Sequence, residues 1–223
     1  MYFYPKEPFM KDYANYLFDA DGTIIDTMNL IIRCFEYTCK RFGNVVIPVP
    51  EIQKNVGLTL RSQMELYLGP LTDERFEIIS GEHMAYQLKL YPGYLRTFPG
   101  VPESLALLKQ AGKKCAVVTS RRRNTLDLYL KETKLYDYFD ALVSPENTQH
   151  HKPHPEPAFA ALALLDAEIG DTVFVGDSNF DIDCAAAAGL DSVFVNWSSN
   201  NPAELNAKPT YCIDDMRELV VPA

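Results

Sequence analysis

The 223-residue chain is 47% hydrophobic and 23% charged, enough apolar material for a buried core, which excludes disordered and fibrous classes. Thirty acidic residues against 21 basic ones give a net charge of −9, so the overall field argues against nucleic acid or an anionic membrane surface as a partner. No apolar run approaches the ~18 residues of a transmembrane helix, and the length corresponds to about one and a half ordinary domains.

Residues 1–16 are aromatic and mixed in charge, lack the features of a secretory signal, and read as structure. Residues 14–18 form the first short apolar run, ending at Asp19. Residues 27–42 then place Met28, Ile31, Ile32, Phe35 and Phe42 at helical spacing and stop at Gly43, and 60–68 and 73–90 are also helix-like, although Gly81 weakens the last. Tyr91-Pro92-Gly93 and Phe98-Pro99-Gly100 are rich in turn residues and predict a hinge. The stretch 101–111 has Pro102 in its first turn and Gly112 beyond its end, the start and stop chemistry of a helix. A strand at 115–118 leads into Thr119, and another follows at 141–143. A helix starting at Pro155 or Pro157 runs to about Leu165 and places Ala158, Phe159, Leu162 and Leu165 on one face. Strands at 172–175, 192–195 and 211–213 complete the series, with a helix at 183–188 stopped by Gly189.

Continuous apolar strands separated by helices imply a parallel sheet buried on both faces. The stretch between the first strand and the one ending at Thr119 is far longer than a crossover needs, so 27–94 reads as a helical insertion into a core made of 1–26 and 95–223. Cys34, Cys39, Cys115, Cys184 and Cys212 are odd in number and scattered, the usage of reduced thiols in a cytoplasmic protein.

Carboxylates stand where the strands end. Asp19 and Asp21 lie just past the first strand, at the carboxyl edge of the sheet, where open α/β folds place ligands. Two acids packed there repel unless a cation or proton compensates, so a metal site is the physical expectation. Thr119 and Ser120 bring hydroxyls to the same edge, and Lys152 sits in the rigid, proline-bounded run KPHPEP. Asp177 directly follows another apolar strand; Asp181, four residues on, has helix capping as its plain alternative.

An acid pair, a hydroxyl, a lysine and a glycine-aspartate, in that order on one sheet edge, together resemble the haloacid dehalogenase superfamily. FDADGTIIDT at 18–27, KPHPEP at 152–157 and VGDSNFDIDCAAAAG at 175–189 look like its phosphoglycolate phosphatase branch, including pyrophosphatase relatives. The pyrophosphatase likeness extends to Asp214-Asp215-Met216, whereas Ala20 departs from the bulkier residue usual between the two acids.

The resemblance implies a doubly wound, Rossmann-like α/β core with an inserted α-helical cap, and Mg²⁺-dependent hydrolysis of a small, phosphoglycolate-like phosphate monoester. It implies Asp19 as nucleophile, Asp21 as general acid and base, Thr119, Ser120 and Lys152 as phosphoryl-binding groups, and Mg²⁺ held by Asp19, the Asp21 carbonyl and Asp177. Asp181 takes a supporting place behind them. Pyrophosphate hydrolysis and phosphosugar mutation use the same scaffold and stay open. A receiver-type phosphoacceptor domain is disfavoured, because its aspartate follows a later strand and the domain is about half this long.

In the insertion, residues 55–61 are expected to face the core site, with Arg61 as a candidate for an anionic leaving group. Arg121-Arg122-Arg123 follows the hydroxyls and would raise the positive potential around an entering phosphate, but reads first as a solvated helix start; His83 reads as structural, and His150, His151 and His154 as lacking the spacing of a metal cluster. Monomer and homodimer are both compatible with the chain.

Overall fold

The computed structural model describes residues 10–220, so the part of the N-terminal stretch before Met10 lies outside them. The strands are β1 (Asn15–Phe18), β2 (Ile25–Asp26), β3 (Arg96–Thr97), β4 (Lys114–Val118), β5 (Ala141–Val143), β6 (Thr172–Gly176), β7 (Asp191–Val195) and β8 (Tyr211–Ile213). The helices are α1 (Met28–Gly43), α2 (Val49–Lys54), α3 (Leu60–Leu68), α4 (Asp73–Tyr94), α5 (Val101–Gln110), α6 (Arg123–Glu132), α7 (Glu156–Leu165) and α8 (Asn179–Ala188). No helix among the described residues is long and apolar enough to cross a membrane.

Six strands form one parallel sheet in the order β5-β4-β1-β6-β7-β8. Alternation of side chains along each strand divides the core into two layers. Tyr16, Phe18, Cys115, Val117, Val173 and Val175 face Leu105, Leu108, Leu126 and Leu130 of α5 and α6. Leu17, Ala116, Val118 and Phe174 face α7 and α8, where Ala158, Ala161, Ala185 and Ala188 allow close packing. A sheet covered on both faces explains why its strands read as unbroken apolar runs.

Helices α1–α4 lie between β2 and β3 in the chain and enclose an apolar cluster of their own, which includes Ile31, Phe35, Ile52, Met64 and Ile79. The chain enters and leaves this region through a short antiparallel ribbon in which Ile25 pairs with Thr97 and Asp26 with Arg96. Two-residue strands carry no readable period, which is why pattern reading passes over this ribbon.

Other elements also differ from the sequence expectation. Helix α4 continues through Gly81 and Pro92 to Tyr94, so Tyr91-Pro92-Gly93 is a last helical turn and not a hinge. Proline removes one backbone donor there, but Tyr91 stacks on Tyr129 with ring centroids 5.4 Å apart, and packing outweighs the lost bond. Helix α8 begins at Asn179, four residues early, because Ser178 and Asp181 form a capping box. Phe159 is exposed, and Ala161 takes its expected place in the core. The short helix α2, with Pro50 in its first turn, is too brief for periodicity to reveal.

Candidate active site

Strand β1 is flanked by β4 and β6, with Phe18 in register with Val117 and Val175. Parallel pairing therefore brings the residues just beyond all three strands, Asp19, Thr119 and Asp177, to one edge of the sheet. All three are buried. The Asp19 amide donates to the Val175 carbonyl at 2.9 Å and the Thr119 amide to the Val143 carbonyl at 3.0 Å, so their backbones remain part of the sheet hydrogen-bonding pattern.

Lys152 arrives from the loop before α7. Its Nζ donates to Asp19 Oδ1 and Asp181 Oδ1, each at 2.6 Å, and to the Val118 carbonyl at 3.0 Å. Burial lowers the proton affinity of this lysine, but Asp181 and Asp19 outweigh it and hold the ammonium above its ordinary range. Asp181 is fully committed, since its Oδ2 also accepts from the amides of Asp177 and Ser178 and from the Ser178 hydroxyl. Capping and lysine binding are thus two jobs of one carboxylate.

Asp177 is differently placed. Its Oδ1 receives only a long bond from Thr23 (3.4 Å) and its Oδ2 one from Asn200 (3.3 Å). Burial and the charges of Asp181 and Asp19 raise its carboxyl well above the ordinary range. Burial, only partly offset by Lys152, likewise pushes Asp19 up to about 7, with Asp181 and Asp21 adding to the rise. Oxygens of Asp19, Asp177 and Asp181 all lie within 4.8 Å of one another. Three buried carboxylates against one lysine leave a deficit of positive charge, and the donors are hard oxygens, so the set fits a divalent cation of the Mg²⁺ type. Asp19 and Asp177 have oxygens to spare for it; Asp181 does not.

Gly22 makes this arrangement possible. Its φ is +87°, and a Cβ there would stand 2.5 Å from Asp177 Oδ2. We expect Gly22→Ala to fold less stably and to lose metal affinity by at least about tenfold, because strain and contact both act on the least supported carboxylate. Calorimetric titration with Mg²⁺ checks this; unchanged affinity would show that the close approach is dispensable.

Asp21 does not point at the other carboxylates. Its oxygens accept from Arg121, with Nε–Oδ2 at 2.8 Å and Nη2–Oδ1 at 2.5 Å, and Oδ1 also accepts from the Thr27 hydroxyl. Only its backbone carbonyl is left for the metal role the resemblance assigns, and its carboxyl is free for proton transfer once it turns. Arg121, expected as part of a solvated helix start, is buried, and its guanidinium lies 4.5 Å from the Tyr129 ring centroid. Helix α6 begins only at Arg123, which leaves Arg121 in the connecting turn where it can fold inward. Its position directly after the Thr119-Ser120 hydroxyls was the available signal.

Residues 55–61 do approach the site: Val56, Gly57, Leu58 and Leu60 line the same pocket as Asp19, Asp21, Thr119 and Asp177. Ser120 donates to the Gly57 carbonyl and thereby ties the insertion to the sheet edge. Arg61 is not brought there. It pairs with Glu65 and Asp73, donates to the Leu71 carbonyl and lies over the Phe76 ring, because those partners are local to α3 and α4. His83, read as structural, is buried and lines the pocket together with Gln63 and Gln87. At the surface, Glu156 joins His150 and His154 in a group that sequence spacing did not reveal, but its carboxylate is taken by the Gln149 and His150 amides.

The model of the haloacid dehalogenase-like hydrolase family matches residues 16–195. A PpaX protein of Caldanaerobacter subterraneus subsp. tengcongensis is 41% identical over 206 residues, 92% of this chain and 91% of its own. The pyrophosphatase PpaX of Bacillus mycoides is 32% identical over 213 residues, 92% of this chain and 94% of its own. Among solved structures, a haloacid dehalogenase-like hydrolase from Bacteroides fragilis superposes with a TM-score of 0.85 at 27% identity, covering 93% of this chain and all of its own.

Proposed function

The chain belongs to the haloacid dehalogenase-like hydrolase family, and from that premise we propose that it is a Mg²⁺-dependent phosphatase that hydrolyses a small phosphorylated metabolite through an aspartyl phosphate on Asp19. The carrying observation is Asp19 buried at the carboxyl end of β1 with Lys152 Nζ 2.6 Å from its Oδ1. A lysine at that distance opposes the rise that burial imposes on Asp19 and aims the attacking carboxylate.

Asp19 attacks phosphorus, and the bond to the leaving oxygen breaks. Asp21, turned away from Arg121 and Thr27, gives that oxygen its proton; it then takes a proton from the water that attacks the aspartyl phosphate, which releases inorganic phosphate and regenerates Asp19. Thr119 Oγ1 accepts from the Arg121 amide at 3.1 Å, which leaves its own proton for a phosphoryl oxygen. Lys152 neutralises another. The Asp19 and Asp177 carboxylates with the Asp21 carbonyl would hold Mg²⁺, which when bound offsets the charge that repels a phosphate and polarises the phosphoryl group. Helices α1–α4 act as the cap that covers the substrate. Pyrophosphate is a second reading, favoured by the names of the PpaX relatives, which match over nine-tenths of the chain.

Phosphate release from p-nitrophenyl phosphate, pyrophosphate, phosphoglycolate and hexose phosphates tests the proposal. The expected result is turnover with Mg²⁺ that falls to background in EDTA and returns when Mg²⁺ is restored. Turnover indifferent to EDTA sinks the metal assignment. Conversion of glucose 1-phosphate to glucose 6-phosphate without release of phosphate makes the protein a mutase.

A further inference from the structure

The insertion contributes ten residues to the pocket lining, and none carries a charge at neutral pH. Arg61 is committed to Glu65 and Asp73, Arg121 to Asp21, and Arg122 stands at the rim, where it is more than a third exposed. Among the described residues the insertion thus brings no buried cation to the pocket, and the buried guanidinium there, that of Arg121, comes from the sheet edge and is paired with Asp21.

The insertion offers neutral polar groups on one face of α4. His83 and Gln87, one helical turn apart, are 3% and 5% exposed and both line the pocket. Neither the Gln87 amide nor His83 Nε2 has a hydrogen-bond partner among the described residues, and neither is sealed away from the pocket space. Buried polar groups of this kind are costly unless something completes them.

The hydrogen-bond pattern sets the proton on the imidazole. Thr38 Oγ1 lies 2.8 Å from the Cys34 carbonyl, which can only accept, so the Thr38 hydroxyl donates to it. The same Oγ1 is 2.9 Å from His83 Nδ1, and this contact is attractive only if Nδ1–H donates. Burial pushes His83 down to about 4, with Arg121 assisting, so the ring is neutral and Nε2 carries a bare lone pair. Phe35, with its ring centroid 5.0 Å away, holds the imidazole in place.

We propose that His83 and Gln87 form the leaving-group site, His83 Nε2 accepting from a hydroxyl, so that the substrate is the phosphate ester of a hydroxyl-bearing alcohol such as a polyol or sugar. A second phosphate or a carboxylate would set its own lone pairs against the one at Nε2. A hydroxyl fills the one need of Nε2, and Gln87 can both donate and accept. The proposal rests on the phosphatase reading above and narrows its substrate.

The test compares kcat/KM for glycerol 3-phosphate, hexose phosphates, pyrophosphate, phosphoglycolate and p-nitrophenyl phosphate in the parent protein, His83→Phe and Gln87→Met. Phenylalanine keeps the ring packed on Phe35, and Gln87 holds no internal bond whose loss could unfold the chain. The parent is expected to favour a hydroxylated ester over pyrophosphate and phosphoglycolate. Each variant is expected to lower kcat/KM for that ester about tenfold more than for p-nitrophenyl phosphate, the value of one neutral hydrogen bond. A parent that prefers pyrophosphate or phosphoglycolate overturns the proposal, as does a uniform loss on all substrates in both variants. No phosphate from any compound, p-nitrophenyl phosphate included, rejects the phosphatase reading itself.

Discussion

Asp19→Asn turns over phosphate esters about 10⁴-fold or more slowly than the parent protein while staying folded. The loss is large because an amide oxygen has neither the charge nor the nucleophilicity to form an acyl phosphate, and groups that act as a unit lose most of their effect when one is removed. Folding survives because Lys152 keeps Asp181 as its ion-pair partner at 2.6 Å and the Val118 carbonyl at 3.0 Å. The substitution also removes a buried charge that the protein alone incompletely balances, so the unfolding midpoint measured without Mg²⁺ is expected to hold or rise. Rapid quenching with phosphate-labelled substrate checks the chemistry: labelled protein accumulates in the parent and not in the variant. Equal turnover in the two proteins would falsify the assignment of Asp19 as nucleophile.

Lys152→Met acts on stability as well as on rate. The ammonium is buried between two carboxylates, and methionine leaves Asp19 and Asp181 facing each other without a cation. Breaking a buried ion pair from one side costs about 3–5 kcal/mol, far more than the ~0–1 kcal/mol typical of surface pairs such as Arg33–Glu36. Urea unfolding without metal measures the loss. Adding Asp181→Asn to the variant is expected to recover part of it, because one of the two stranded charges is then gone. Two costs that simply add would mean that the lysine and Asp181 are not energetically coupled. Turnover of Lys152→Met falls by at least about 10²-fold, as Asp19 loses the partner that favours its ionised form and the phosphoryl group loses a positive contact.

The parts of the fold that depend on local order were legible. The strand at 141–143 coincides with its apolar run, because burial on both faces demands uninterrupted apolar residues, and the partly buried edge strand at 211–213 also lies where its short run places it. Helix α3 begins at Leu60 and ends at Leu68 as its spacing implies. Elements held by packing with distant residues were not legible. Pro92 marks a turn in sequence, yet Tyr91 on Tyr129 carries the helix past it.

The same division runs through the site. Asp19, Thr119 and Asp177 could be placed at one edge from sequence, since each follows an apolar strand and a parallel sheet must bring those strand ends together. Lys152 could be assigned to that edge only through resemblance, because nothing in a loop lysine says where it reaches. Arg61 and Arg121 exchanged their expected places: the arginine in the insertion is claimed by Glu65 one turn along its own helix and by Asp73 at the start of the next, and the one read first as solvated folds in to hold Asp21.

Chain order, with its recurring apolar strand and terminal carboxylate, is information about neighbours along the backbone, and it determined the sheet and its acidic edge, whereas the phosphoryl chemistry came through the family resemblance. Which cations reach that edge, which way Asp21 turns, and the proton that leaves His83 with a bare nitrogen toward the pocket were decided only by tertiary structure. Long side chains choose among partners tens of residues apart, and burial, not sequence spacing, sets what each choice costs.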